Sequence, residues 1–319
     1  MKIRCAVLCL CTTGLILTAC FPTRLARLSL AQLTVTPTPF LPKFASVELP
    51  QDQMVSVSIE NENTGPDFGV FAPPTETSTP TPTPMPLPLV VLMGQSNMSG
   101  RGIVDEQWSN PLVWEFGNDY QWALARDPID SSAGQIDAVS VDYDAGHSPA
   151  TRFGDLYAER FGEFGLVPCA KNSSTITEWQ LGGGLYSSCL NRIVAAGGNV
   201  VAILFFQGEA EAENVEGSAK VRAFAQWGEL FQKLVTDLRR DLNSPKLPII
   251  FAQIGAFPTK HYLAGPWTEV RQQQADFQME CVAMTKTEDL SDGDVHFTSE
   301  AYDVIGTRFA EALFGLDCT

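Results

Sequence analysis

The stretch Leu89-Val90-Val91-Leu92-Met93-Gly94-Gln95-Ser96-Asn97-Met98-Ser99-Gly100 joins five apolar residues to a turn that holds a serine between two glycines. A short and fully apolar run predicts a strand that is buried on both faces of a sheet. The glycines permit a tight turn and a close approach of a substrate to the backbone. Ser96 therefore stands at the carboxyl end of a buried strand, which is where α/β enzymes carry their working groups.

Apolar runs and helical patterns alternate along the chain after this stretch. We predict strands at residues 88–93, 166–170, 200–206 and 247–254, and helices at residues 151–161, 185–196, 219–242, 267–280 and 299–314. Apolar strands separated by helices indicate an α/β fold, a three-layer sandwich around a central parallel sheet of about five strands.

The N-terminus has the pattern of an export signal. A basic start is followed by an apolar run over residues 6–17, and Leu17-Thr18-Ala19-Cys20 resembles the end of a bacterial lipoprotein signal. We predict a signal peptide at residues 1–19, lipid on Cys20 and anchoring to the outer face of a bacterial membrane, with plain secretion as the alternative. Residues 20–87 are rich in Thr and Pro and predict a mostly disordered tether, which leaves a catalytic domain at residues 88–319.

Four cysteines remain after residue 20, and an even number in an exported protein favours two disulfides. We favour Cys169 with Cys189 and Cys281 with Cys318 because each pair is close in sequence, although four cysteines allow three pairings. A zinc site is the competing interpretation, but the chain offers no C-x-x-C spacing to support one.

The formal net charge of −16 argues against nucleic acid and anionic membrane surfaces as partners, since both require a basic face. The only membrane contact that we expect is the lipid anchor at Cys20. The oligomeric state stays open.

Gly94-Gln95-Ser96-Asn97-Met98 resembles the first motif of the SGNH hydrolases, in the branch of acetylxylan esterases and sialate O-acetylesterases (carbohydrate esterase family 6-like). The resemblance covers roughly residues 89–313. It implies a flavodoxin-like SGNH hydrolase fold, Ser96 as the nucleophile, Gln95 and Asn97 in the substrate pocket, and no metal or organic cofactor.

A nucleophilic serine needs a base, and the chain offers His147, His261 and His296. His296 lies in a short acidic turn just before the last predicted helix. This turn is similar to the final block of the family, and the resemblance implies that His296 is the base. We expect Asp294 to orient its imidazole, with Asp292 as the alternative acid.

A second block, Phe205-Phe206-Gln207-Gly208-Glu209, follows the strongest predicted strand and resembles the family's Trp-x-Gln-Gly-Glu. The resemblance implies that the Gln207 amide donates to the oxyanion of the tetrahedral intermediate. It also implies that Glu209 organises the substrate pocket through a hydrogen bond.

A third block, residues 170–179, resembles the family's Ala-x-Gly-Gly-Thr-Ser-Ile-x-x-Trp, with Asn172 and Ser173 in place of the two glycines. The implied oxyanion hole thus combines the backbone N–H groups of Ser96 and Ser173, and Trp179 belongs to the pocket. The side chain of Ser173 restricts the backbone angles that a glycine would adopt freely. Residues 146–154 resemble a segment that opens a helix near the site, but we expect His147 itself to be a solvated loop residue.

These blocks together predict a serine esterase that removes O-acetyl groups from polysaccharide or sialic-acid-type sugars through an acyl-enzyme. Its partner would be an acetylated carbohydrate. Two alternatives remain: a catalytically weakened carbohydrate-binding lipoprotein on the same fold, and an esterase for simple or lipid esters.

Overall fold

The computed structural model describes residues 87–213, 223–258 and 261–318. The predicted signal peptide, its cysteine Cys20 and nearly all of the predicted tether lie outside the described residues and stay predictions. Within the described ranges, no helix has both the length and the apolar character needed to cross a membrane.

A seven-stranded sheet forms the centre of the molecule. Its strands in chain order are β1 (Leu89–Gly94), β2 (Val113–Phe116), β3 (Trp122–Leu124), β4 (Phe164–Pro168), β5 (Val200–Phe206), β6 (Ile249–Ala252) and β7 (Val282–Thr285). Their order across the sheet is β3-β2-β4-β1-β5-β6-β7. Every neighbouring pair is parallel except β2 with β3.

The α/β class and the mostly parallel sheet are confirmed, and the sheet is wider than the expected five strands. The additional strands β2, β3 and β7 lie at or next to its edges, where side chains are only partly buried. Edge strands of this kind lack the continuous apolar run by which the four predicted strands could be recognised.

Six α-helices connect the strands within the described residues: α1 (Ser96–Ser99), α2 (Pro149–Phe161), α3 (Gly184–Ala195), α4 (Trp227–Asp241), α5 (Ala264–Asp276) and α6 (Ser299–Gly315). The helix predicted from residue 219 begins only at Trp227 and follows a 3-10 turn at Phe224–Gln226. Helix α2 begins at Pro149 because the Ser148 hydroxyl caps it and proline suits a first helical position.

Strand β1 supplies side chains to both apolar layers, as the alternation of a strand requires. Its first, third and fifth residues pack in one layer with α3 and α4, and Val90 and Leu92 pack in the other with α2 and α6. The strand is completely covered on both faces. The nucleophile turn that follows β1 therefore starts from the most constrained part of the fold.

Gly94 ends β1 at a close approach between two strands. Its φ is +135°, and a Cβ at this position would lie 2.1 Å from the carbonyl oxygen of Phe206 at the end of β5. The next amide, from Gln95, donates to the same oxygen at 2.8 Å. Only glycine fits here, and this contact sets the direction in which the chain enters α1.

Two disulfides join the four cysteines of the domain in the pairing favoured from sequence. Cys169, just after β4, is bonded to Cys189 in α3, with 5.5 Å between their Cα atoms. Cys281, just before β7, is bonded to Cys318 beyond α6, with 5.3 Å between their Cα atoms.

Replacing Gly94 by alanine is expected to lower the free energy of unfolding by more than about 3 kcal/mol, because left-handed strain adds to overlap with the Phe206 carbonyl. The control is Gly162→Ala, at a φ of +84° where an added Cβ meets nothing within 4 Å. This change should cost about 1 kcal/mol from the backbone alone. Urea denaturation of both variants measures the difference, and equal losses would show that the close approach is unimportant.

Candidate active site

Ser96 and His296 meet at the carboxyl edge of the sheet. Ser96 is the first residue of α1, directly after β1, and His296 lies in the loop before α6. The serine Oγ lies 3.0 Å from the His296 Nε2, and both residues line a cleft of 720 Å³. A serine and an imidazole at hydrogen-bond distance in a cleft form the arrangement that activates a hydroxyl for attack.

Asn97 connects the three parts of the chain that carry the site. Its Nδ2 donates to the Glu209 Oε1 at 2.6 Å and to the Val295 carbonyl at 3.1 Å. Its Oδ1 accepts from the Tyr302 hydroxyl at 2.8 Å. The side chain is completely buried and does not line the cleft in which the sequence placed it. It links the nucleophile helix to the end of β5 and to the residue before the base.

Glu209 lies beneath the cleft and not on its wall. It is completely buried, and burial raises the pKa of its carboxyl to about 7 against the lowering effect of the Asn97 amide. The hydrogen bond to Asn97 is the organising contact expected from sequence, but Glu209 does not itself line the cleft. Its neighbour Glu211 accepts from the Ile176 amide at 2.6 Å, and burial raises its carboxyl pKa to about 8.

Arg101 clamps the end of α1 to a distant loop. Its Nη2 lies 3.0 and 2.9 Å from the two carboxylate oxygens of Asp142, and its Nη1 donates to the Gly100 carbonyl at 2.6 Å and to the Ser99 hydroxyl at 2.9 Å. Ser99 in turn donates to Asp142 at 2.7 Å. Because Nη2 bonds to Asp142 and Nη1 bonds to Gly100 and Ser99, the orientation of the guanidinium is fixed as well as its distance. No sequence signal points to Asp142, which lies 41 residues from Arg101 along the chain.

His296 is held in the neutral form that a general base requires. Burial lowers the pKa of its imidazole below the usual value, the Arg101 guanidinium lowers it further, and Asp294 and Asp142 oppose both. A neutral ring near pH 7 can accept the serine proton.

The structure corrects the prediction that Asp294 or Asp292 bonds to the His296 imidazole. The Asp294 Oδ1 accepts from the backbone amides of Val295 at 2.6 Å and His296 at 3.4 Å, and Asp292 accepts from the Asp294 amide at 3.1 Å. In the described structure neither carboxylate bonds to the imidazole. Asp side chains in short turns commonly bond to the backbone that follows, and both aspartates are used in this way.

Gln207 does not have the predicted role in the oxyanion hole. Its Nε2 donates to the Ser174 carbonyl at 3.0 Å and to the Glu211 carboxylate at 2.5 Å, and its Oε1 accepts from the Trp227 indole at 2.9 Å. The residue is completely buried and does not line the cleft. Its amide therefore ties β5 to two neighbouring elements.

The side-chain amide of Gln95, unlike that of Gln207, lies at the cleft. Its Oε1 accepts from the backbone N–H groups of Gly208 at 3.3 Å and Ala210 at 3.2 Å. Because two N–H groups donate to this end of the amide, it must be the oxygen. Gln95 also lines the cleft beside Ser96. Its Nε2 is thus the end available to a bound molecule.

Ser173 and Asn172 line the same cleft as Ser96. It has a φ of +52°, in the left-handed region that glycine adopts without strain. Trp179, from the same block, was placed wrongly in the pocket. It is completely buried, its indole donates to the Ser174 hydroxyl at 3.0 Å, and its ring packs against Phe205.

His147 is not the solvated residue that the sequence suggested. It is 6% exposed, with Nδ1 2.8 Å from the Asp127 carboxylate and Nε2 3.0 Å from that of Asp303. Burial opposes the charged ring, but the two carboxylates together raise the pKa of His147 above its usual value. Through these two contacts His147 joins the loop that carries Asp127 to α6, away from the residues that line the cleft. His261 lines the cleft, as does its neighbour Tyr262.

Comparison with known families identifies the chain. The sequence model of the carbohydrate esterase family described as sialic acid-specific acetylesterase matches residues 86–315. The chain belongs to this family. It is therefore a carboxylic ester hydrolase of the carbohydrate esterase kind, and the resemblance of its motifs to the sialate O-acetylesterases is confirmed.

Relatives extend this similarity. A probable carbohydrate esterase of Arabidopsis thaliana is 27% identical over 255 residues, which cover 72% of this chain and 90% of the relative. An X-ray structure of an Arabidopsis thaliana protein matches with a TM-score of 0.60 and 27% identity over 72% of this chain and 98% of that one. A carbohydrate acetylesterase of Xanthomonas citri shares the fold at 16% identity and a TM-score of 0.55, over 72% of this chain and 56% of the relative.

We expect the acid limb of the kcat/KM profile to lie below pH 6.5, because the pKa of His296 is lowered. Asp294→Asn removes a charge that raises this pKa, so the limb should move to still lower pH. Since no carboxylate bonds to the ring, kcat at pH 8 should fall by no more than about tenfold.

Asp292→Asn is the matched control and should leave the limb in place, because Asp292 does not contribute to the His296 shift. A kcat loss near 10⁴-fold in Asp294→Asn, the size seen when a triad acid is lost, would show that Asp294 orients the ring after all.

Proposed function

We propose that this esterase releases acetate from O-acetylated sugars through an acyl-enzyme on Ser96. The 3.0 Å contact between the Ser96 Oγ and the His296 Nε2 at the floor of an open cleft carries the proposal. Membership of a carbohydrate esterase family supports the sugar substrate. The polar cleft wall supports a sugar over a lipid chain.

In the first half-reaction, the neutral His296 accepts the Ser96 proton as the Oγ attacks the acetyl carbonyl carbon. The tetrahedral intermediate collapses when the bond to the sugar oxygen breaks, and that oxygen takes the proton from His296. Water then attacks the acetyl-enzyme with His296 again as the base, and acetate and free Ser96 result.

The oxyanion would be stabilised by three donors. Ser96 begins α1, so its backbone N–H is among those that a helix leaves without an intrahelical acceptor. The Ser173 N–H is the second donor, in the left-handed conformation where the family has glycine. We assign the third to the Nε2 of Gln95, because Gln207 is buried and its amide is occupied.

We infer that the enzyme works outside the cytoplasm as a lipoprotein anchored through Cys20. The signal pattern at residues 1–20 supports export, and the two disulfides of the domain fit an oxidising compartment. The Thr- and Pro-rich residues that follow would hold the domain away from the membrane surface.

Ser96→Ala should abolish acetate release from acetylated xylan, because the Oγ is the attacking atom. Thermal unfolding should be unchanged within a few degrees, since the Oγ bond to His296 is the one side-chain hydrogen bond of Ser96 among the described residues. A fluorophosphonate should label the wild type at Ser96 and leave the variant unlabelled. Retained turnover in the variant contradicts the proposal, and a wild type that neither turns over nor labels supports the carbohydrate-binding alternative.

Gln95→Glu keeps an oxygen for the amides of Gly208 and Ala210 but replaces the Nε2 donor. We expect kcat to fall about 10²- to 10³-fold, the effect of removing one oxyanion donor. Asn172→Asp is the control, since it places the same charge in the cleft without removing that donor, and its kcat should stay within about tenfold. Equal losses in both variants would show that charge alone is responsible.

Cys20→Ser should move the protein from the membrane fraction to the soluble exported fraction, because the acyl chains that anchor it can no longer be attached. Immunoblotting of fractionated cells checks this. A variant that stays in the membrane fraction would rule out lipidation at Cys20.

A further inference from the structure

Tyr262 is an aromatic residue in the wall of the catalytic cleft that the reaction described above does not use. It lies between β6 and α5, is partly buried, and lines the same cleft as Ser96 and His296. None of the sequence motifs points to it.

The backbone of Tyr262 is tied to the segment that follows β5. Tyr262 forms an antiparallel bridge with Glu213, and the amide of Leu263 donates to the Ala212 carbonyl at 2.8 Å. The 3-10 turn that ends at Ala212 begins with Glu209, beneath the cleft. The position of Tyr262 is therefore fixed relative to the elements that support the nucleophile.

The Tyr262 ring is held in place by a buried tryptophan. It packs edge-on against the Trp267 indole, with 5.1 Å between the ring centroids and 76° between the ring planes. The Trp267 Nε1 donates to the Gly255 carbonyl at 3.1 Å, which fixes the indole in turn. An aromatic ring that is fixed before binding loses little conformational entropy when a ligand arrives.

Phe257 packs on the same indole but outside the cleft. Its ring centroid lies 6.1 Å from that of Trp267, at 74° between the planes, and it is not among the described residues that line the cleft. The two rings thus have similar packing partners and differ in whether a substrate can reach them.

The Tyr262 hydroxyl has no hydrogen-bond partner within the described ranges. Burial raises its pKa, and the charges of Glu209, Glu213 and Asp294 raise it further. The hydroxyl therefore stays protonated and can both donate and accept. Since the effect of a charge weakens with distance, the hydroxyl lies near Asp294, which also lines the cleft.

A fixed tyrosine with an unpaired hydroxyl fits the sugar part of an acetylated substrate. An acetyl group is small relative to a cleft of 720 Å³, so most of this space is left for the alcohol part of the ester. A sugar offers C–H groups for the ring and hydroxyls for the phenol. An alcohol without hydroxyls would leave the phenol unpaired, and that loss disfavours binding.

We propose that Tyr262 is a specificity-determining residue, whose hydroxyl bonds to a hydroxyl of the sugar that carries the acetyl ester. The proposal rests on the acetylesterase function proposed above and names a residue that selects sugar esters over simple esters. The bond is made to the alcohol part of the substrate, and an ester without a sugar cannot form it.

Two esters with the same acyl group test this: an O-acetylated xylo-oligosaccharide, and p-nitrophenyl acetate, which has no sugar. Tyr262→Phe removes the hydroxyl and keeps the ring against Trp267. We expect kcat/KM for the xylo-oligosaccharide to fall about five- to tenfold, mainly through a higher KM, which is the effect of losing one neutral hydrogen bond. For p-nitrophenyl acetate, kcat/KM should stay within about twofold of the wild type.

Tyr262→Leu and Phe257→Leu are a matched pair, because each removes one ring from Trp267. Both should lower the temperature of thermal unfolding, but only Tyr262→Leu should lower kcat/KM for the xylo-oligosaccharide. An equal loss of activity in Phe257→Leu would assign the effect to packing on Trp267 and overturn the role of Tyr262.

Tyr262→Phe also separates the two proposals. If it leaves the xylo-oligosaccharide reaction unchanged, or slows both esters equally, the role of Tyr262 in sugar selection is overturned. A wild-type enzyme that hydrolyses p-nitrophenyl acetate but releases no acetate from the xylo-oligosaccharide overturns the proposed function instead.

Discussion

The site depends on one buried side chain, Asn97, which uses both ends of its amide. Its two N–H bonds go to Glu209 at the end of β5 and to the Val295 carbonyl next to the base, and its oxygen accepts from Tyr302 in α6. The nucleophile and the base come from opposite ends of the domain sequence. A network of buried hydrogen bonds fixes their separation more tightly than apolar packing does, since each hydrogen bond specifies a direction.

Buried charge is concentrated beneath and behind the cleft. Glu209 and Glu211 are covered by the sheet end and have pKa values raised into the neutral range, while Arg101 and Asp142 form a closed pair behind α1. None of these four residues is among the described residues that line the cleft. The buried polar residues of these sequence blocks therefore help to build the support of the site.

The sequence predicts the parts of the structure that local pattern determines. The apolar run of β1 and the glycine turn place Ser96, and the acidic turn before α6 places His296, because each signal lies within a few residues. Gln207 was assigned wrongly because the direction of its amide depends on Trp227, twenty residues away. The prediction that His147 is solvated was wrong for the same reason, since its partners Asp127 and Asp303 are distant in sequence and no short motif encodes them.

The rate at which a fluorophosphonate labels Ser96 in Asn97→Asp tests this account most directly, because labelling needs only an aligned nucleophile and base. The carboxylate removes both N–H donors and faces Glu209, so the second-order rate should fall at least 100-fold with the far-ultraviolet circular dichroism unchanged. Tyr302→Phe, which removes the bond to the Asn97 oxygen and the longer 3.5 Å bond from the Phe297 amide but keeps both Asn97 donors, should cost less than tenfold. Labelling of a folded Asn97→Asp enzyme at the wild-type rate would contradict the account.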